Sequence, residues 1–486
     1  MGFAGCLLAA MLAVPAPAQD DEEQRRIKVE TQVVKSLVAF GRRAESMKLP
    51  SRARDVYRII LEHYDEDHKT ARRGLGFKKV KGDWEQVTAT NKLRQNTGTD
   101  RHVRGLELAW QKTAKKAARL HRELGLALNT EGHIVSAFDQ LERAIAFDPK
   151  DKESHKVLGH EEYDGFFGTD EQVQFVKRMR RIREKAAECA ALDLEITPIP
   201  QNKMPNALRP SALDFQGAKC GGFTCWIVSG QSEAGEYARW QARAYEFAKW
   251  LAKDTNDLTL KSTKHIKYLA VVRTQEQKKL LLTESIDARA GEPIARAMLY
   301  GGNSFKDRGV RAEWQHTHRD NDADAAVAHL AKRYFVHACN NAISEGVMHM
   351  LTEMMCGSVH SQYMILARTE SNGGAEIERA IPAWTKALHQ QIAADEDWPL
   401  AQLPRERMDN FRTPCRIKAW SFATWLLARH PRTWFRFAAE LGRKNQSTED
   451  VAKRFKEWID QSVGEADMEW REWARAGSAI GEASGL

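Results

Sequence analysis

The sequence predicts an α+β protein, mainly α, built in two parts: repeated helical hairpins, then a mixed domain whose end is all helical. Three observations predict it. A helix–turn–helix pattern over Ala53–Trp84 returns over Ala137–Phe167, with Leu75-Gly76 and Leu158-Gly159 set 83 residues apart (158 − 75). A proline-rich segment follows, ITPIPQNKMPNALRP at 196–210, with four prolines in fifteen residues. From Phe215 onward β-rich runs alternate with amphipathic ones, and a stretch studded with Trp and Phe closes the chain.

The chain begins MGFAGCLLAAMLAVPAPAQD, with an apolar run from Phe3 to Val14 and a small-residue site, Ala16-Pro17-Ala18, ahead of Gln19. This predicts a signal peptide over 1–18, although it lacks a basic leading segment, and export to the periplasm or beyond the cell. A lipoprotein reading at Cys6 fails because the apolar run lies after that cysteine. The run also falls short of the ~20 apolar residues that span a bilayer, so no integral membrane segment is expected in the mature protein. With 486 residues the remainder can hold two or three domains, and 29% charged with 42% hydrophobic residues argues against long disorder.

Export permits disulfides. Beyond Cys6 the cysteines are Cys189, Cys220, Cys225, Cys339, Cys356 and Cys415, and no spacing among them resembles a zinc knuckle. CGGFTC could close a small loop between Cys220 and Cys225; buried free thiols are the other reading. The net charge of +8 is carried partly by two basic runs, 115–122 and 177–185. Both lie in helical sequence, where such runs are expected to be solvated faces. Neither interleaves aromatics or matches a nucleic-acid motif, so no nucleic-acid partner is expected.

Residues 30–190 read as almost wholly helical, within a repeat domain expected over 30–195. Each copy has a helix with apolar residues every three or four positions, an acidic turn (Asp65 to Asp67; Asp148-Pro149) and a second helix ending in Leu-Gly. One hairpin cannot bury its inner face alone, so the copies should stack. Leu61, Leu75, Leu141, Ile145 and Leu158 should point inward, with Lys177 to Lys185 wet. AFDQLERAIAFDPKD has the small residue, apolar spacing and closing Asp-Pro of a tetratricopeptide repeat, and the region resembles that family. Trp84 and Tyr163, each following a Leu-Gly, would cap the repeats. The resemblance implies a protein or peptide partner.

Residues 196–214 read as a linker. In the second domain, GGFTCWIVSG is a strand, 236–252 an amphipathic helix, 265–274 a second strand and QEQKKLLLTE a helix. RAMLYGGNSF and VRAEWQ supply further strands or turns, with YGGNSF itself a turn. Helices are expected at 324–337 and 342–356, and 417–442 has the aromatic spacing of a buried helical face. Residues 476–486 read as a tail.

The chemistry turns on AISEGVMHMLTEMMC, residues 342–356. A small residue, Glu, Gly and then an apolar run, after a strand–helix–strand–helix order and before a Lys-Ala-Trp segment (418–420), resembles a gluzincin-type, peptidase MA-like zinc metallopeptidase domain over 215–475. The resemblance implies that Glu345 is the third zinc ligand and that the preceding helix carries HExxH. There two histidines one turn apart grip the metal, and a glutamate activates its water. This chain departs at that point. After His329 come Leu330, Ala331, Lys332 and Arg333; before it, Ala325 and Ala326 occupy the first-ligand and base positions.

The expected domain is therefore a degenerate one, with His329, Glu345 and His349 marking the site and no metal cofactor. His329 and His337 lie about 12 Å apart along a helix axis, too far for one ion. The bland role for Glu345 is a helix-start carboxylate held by a lysine or arginine. Met348, Met350, Met354 and Met355 read as core. The leading functional expectation is an exported protein- or peptide-binding protein with an inactive peptidase-like domain. One alternative is a zinc peptidase using His329, Glu345 and His349, with Glu353 a further turn on and His316 and His318 as further donors. Another is a structural subunit of an envelope assembly. No G-x-S-x-G, phosphate loop or dinucleotide fingerprint is present.

Overall fold

At Lys81-Gly82, and again at Asp164-Gly165, both residues take positive φ (50° and 106°; 50° and 78°). That is the two-residue turn whose twist matches paired strands, and glycine adopts it without a Cβ clash. In a computed structural model, which describes residues 17–86, 96–256, 266–286, 302–317, 322–334, 342–357, 381–394, 396–406, 413–443 and 446–484, each turn closes a small β-hairpin. The leader expected over 1–18 lies outside the described residues except for its last two. These already belong to the first helix.

The chain divides into two compact units at Val173/Gln174. In the first, α1 (Pro17–Ser46), α2 (Pro50–His63), α3 (Lys69–Gly74) and the hairpin β1 (Phe77–Val80)–β2 (Asp83–Gln86) form one set. The second set follows in the same order: α4 (Asp100–Glu131), α5 (Ile134–Phe147), α6 (Lys152–Val157), β3 (Glu161–Tyr163) and β4 (Phe166–Gly168). The 83-residue spacing seen at Leu75 and Leu158 holds from His68 and Asp151, which precede α3 and α6, through both turns. Each repeat thus contains a β-hairpin that a wholly helical reading misses, and its second short helix is only six residues long. Trp84 and Tyr163 are not equivalent, since Phe167 is the counterpart of Trp84 (84 + 83).

The two sets share a core because α1 packs on both α2 and α4. Val33, Leu37, Phe40, Tyr57, Ile60, Leu75 and Leu106 meet in it. Leu75 and Leu141 are buried as expected, whereas Leu61, Ile145 and Leu158 are half-buried.

The second unit holds a mixed sheet of six strands in the order β5-β6-β7-β8-β10-β9. Its edge strand β5 (Ile196–Ile199) comes from the proline-rich segment and pairs antiparallel with β6 (Gln216–Cys220). The segment expected as a linker is therefore part of the domain. An edge strand tolerates prolines because its outer N–H groups need no partner. β6 turns into β7 (Phe223–Ile227), and α8 (Gln231–Thr255) carries the chain to β8 (Ile266–Val272), parallel to β7. After α9 (Gln275–Leu280), β9 (Gly302–Asp307) and β10 (Val310–His316) form a hairpin, with β10 parallel to β8. Gly302 to Phe305, the last four residues of YGGNSF, thus belong to β9 rather than to a turn, and its first two lie outside the described residues.

One sheet face packs Phe215, Trp226, Tyr268, Ala270, Val272 and Trp314. The other meets α8. Cys220 and Cys225 are buried free thiols, and strand pairing sets Cys220 opposite Phe223. Cys339 lies outside the described residues. Further helices among the described residues complete the unit. They are α7 (Asp170–Ala190, which begins before the division), α10 (Asp322–Tyr334), α11 (Ala342–Cys356), α12 (Ile381–Ala394), α13 (Thr413–Arg429), α14 (Trp434–Leu441) and α15 (Thr448–Ile459). A last helix, α16 (Val463–Ser484), runs into the expected tail. No described helix is long and apolar enough to cross a membrane.

Candidate functional site

Every residue of α11 from Ala342 to Met355 is buried, the methionines included. Propensity does not account for this; neighbours cover the helix on all sides, with α10, α13 and α14 packed against it. Gly346 permits the closest approach. A Cβ there would sit 2.1 Å from the carbonyl oxygen of Ala419 on α13, so the two backbones touch where a side chain would otherwise stand.

The adjacent Glu345 points its carboxylate at the same helix. Its Oε2 lies 3.6 Å from Nε of Arg416, and both side chains are nearly inaccessible. Arg416 and Ala419 are three residues apart on α13 and share a face. The Glu-Gly pair that opens α11 is thus one docking device, with the carboxylate meeting the guanidinium and the glycine meeting the backbone.

One turn on, His349 is fully buried and lies edge-on to Trp384 of α12, ring centroids 5.2 Å apart. Trp384 in turn meets Trp420 of α13 at 5.7 Å. Another turn along, Glu353 receives both arms of Arg183 at 2.6 and 3.1 Å. Burial pushes the Glu353 carboxyl above its ordinary value, and Arg183 pulls it back toward the ion. Arg183 belongs to the basic run expected to be wet. The run is wet only in part: Arg178 donates to the carbonyl of Ala428 at the end of α13, while the exposed Arg181 pairs with Asp254 of α8.

His329 on α10 faces other elements. Its Nδ1 accepts from Nε2 of Gln241 on α8 at 2.9 Å, and its Nε2 lies 2.8 Å from Oε2 of Glu313 on β10. The Gln241 amide nitrogen can only donate, so Nδ1 is the accepting nitrogen and the ring N–H of the neutral tautomer lies on Nε2, toward Glu313. Glu313 reaches His329 by strand alternation: Ala312 and Trp314 face the sheet's apolar core, while Glu313 and Gln315 face the helices. The other oxygen of Glu313 meets Nε of Arg311 at 3.2 Å.

α10 and α11 pack on one another; His329 is held by β10 and α8, whereas Glu345 is held by α13. Ala325 and Ala326 are fully buried in the packing of α10. His316 lies 3.2 Å from the carbonyl of Arg273. His318 and His337 lie outside the described residues. Among the described residues no three His, Cys, Asp or Glu side chains gather closely enough to hold a metal ion.

Arg416, Arg183, Gln241 and Glu313 were not singled out from sequence. The available signal was charge inside apolar runs: Arg416 and Lys418 stand in a Trp-rich helical stretch, and Glu313 in VRAEWQ. Lys418 shows how such charges are met. It is fully buried, bonded to Asp397 at 2.8 Å and Asp467 at 2.6 Å, with its ammonium 4.1 Å from the Trp470 ring centre. No protein-family model matches the chain, and no curated protein matches it significantly.

Proposed function

We propose that this is an exported protein- or peptide-binding protein whose second unit keeps a zincin-like arrangement of helices without peptidase chemistry. The observation that carries the reading is the Glu345–Arg416 contact in the interior of the second unit. At the position where the resemblance expects a metal ligand, a guanidinium supplies the opposite charge, leaving the carboxylate little affinity for a cation. His329 supports it, since one ring nitrogen faces an amide donor and the other a carboxylate. Partner binding is assigned to the first unit, where the repeated sets leave apolar side chains outside: Val135 is 85% exposed, with Ile134 and Phe138 beside it on α5. Export rests on the leader-like segment at 1–18.

The test is metal content and peptide hydrolysis on the purified full-length protein, side by side with Glu345→Gln. Substoichiometric zinc and no hydrolysis above background are expected in both. One equivalent of zinc and a hydrolytic activity that Glu345→Gln and chelation both abolish would establish the zinc-peptidase alternative instead.

A further inference from the structure

A cavity of about 530 Å³ opens in the second unit where the end of α8, the middle of α7 and the α13–α14 turn converge. Its lining is unlike that of the α11 site. Arg178 and Arg181 enter from α7, Arg432 and Arg436 from the turn and start of α14, and Asp254, Thr255, Asn256 and Pro431 complete it. Four guanidinium groups against one carboxylate give the lining a net charge of +3 (4 − 1). Asp254 is already committed to Arg181, at 2.5 and 2.7 Å. Arg178 donates to a helix-end carbonyl, which neutralises no charge. Arg436 stacks over the Trp458 ring at 5.7 Å, which orients its guanidinium.

Cations crowded around a recess repel one another unless an anion enters. Arginine forks grip planar or tetrahedral oxyanions through paired hydrogen bonds. The volume lies in the range of small-molecule sites and exceeds the size of a single inorganic ion. We infer that this pocket binds a small polyanion carrying two or more oxyanion groups, phosphoryl or carboxylate, gripped by Arg178, Arg432 and Arg436. The site shares no residue with the contacts of Glu345 and stands whether or not the second unit has peptidase chemistry.

The experiment is calorimetric titration of the full-length protein with pyrophosphate and, separately, with citrate, in chloride buffer of physiological strength. Arg432→Gln and Arg436→Gln, both at exposed positions, are titrated alongside Lys219→Gln, an exposed lysine on β6 that removes the same charge outside the pocket. Saturable binding of at least one anion at one equivalent is expected, weakened about tenfold by each arginine variant and unchanged in Lys219→Gln. Tighter pyrophosphate assigns the site to phosphoryl groups, and tighter citrate to carboxylates. No saturable binding of either anion, or equal weakening in all three variants, would overturn the proposal.

Discussion

Gly346 has no room for a methyl group, because the carbonyl it would strike belongs to the backbone of α13 and cannot rotate away. Gly346→Ala should therefore cost about 3 kcal/mol or more, seen as a lower denaturant midpoint with unchanged slope. Gly464, with open space around it near the start of α16, is the control. Alanine there should leave stability unchanged or raise it by a few tenths of a kcal/mol. Equal effects at both positions would remove the close-approach reading. His430 supplies a second test. Its Nε2 is buried with no hydrogen-bond partner among the described residues, its ring stands edge-on to Trp425, and burial lowers its pKa to about 4. An unfolded histidine takes up its proton near its ordinary value, whereas the folded one does so only near 4. Stability should thus fall as pH drops from about 6.5 toward 4, by roughly 1–3 kcal/mol, and His430→Leu should flatten that slope. A slope unchanged by the substitution would assign the loss to other groups. At this scale the sequence was partly readable. The Glu345-Gly346 pair marks a special helix start, and the sequence reading expects a lysine or arginine beside the carboxylate. Which arginine it would be was not legible, because Arg416 lies 71 residues away (416 − 345) and only the helix crossing brings it near.

Helices and strands show where pattern reading holds and where it stops. Strand β8 was legible as a continuous apolar run of the kind a covered parallel strand requires, and α10 and α11 fall within a few residues of their expected places. The short hairpins β1–β2 and β3–β4 escaped because three- and four-residue strands carry too little alternation. Their signal was the Lys-Gly and Asp-Gly turn pairs, repeated at 83 residues. The basic run of α7 was misjudged for a different reason. Charge on a helix reads as a solvated face only when no buried carboxylate awaits it, and Glu353 sits on an element that sequence order places far away. Arg183→Met should leave Glu353 buried without its cation and cost about 3–5 kcal/mol. Glu353→Leu in the same background should recover part of that loss. Urea midpoints of the parent and the two variants decide it, and a change below about 0.5 kcal/mol for Arg183→Met would restore the solvated-face reading.

For the whole molecule, the division at Val173/Gln174 makes a definite expectation about the first unit. A fragment spanning 20–173 should be soluble, helical and cooperative in thermal melting, because its two sets already share the core around Leu37, Tyr57 and Leu106. A fragment that aggregates or melts without cooperativity would show that the repeats do not fold alone. The second unit is organised around α11, and the central claim concerns the charge at its start: the Glu345 carboxylate is neutralised by Arg416 as part of the packing of α11 on α13. A double-mutant cycle on unfolding free energy measures this most directly, using Glu345→Gln, Arg416→Met and the pair together in metal-free buffer. A coupling of about 1–3 kcal/mol, with the double variant more stable than the sum of the single losses allows, is the predicted result. A coupling near zero, or one that appears only when zinc is added, would contradict the claim and return Glu345 to the role of a metal ligand.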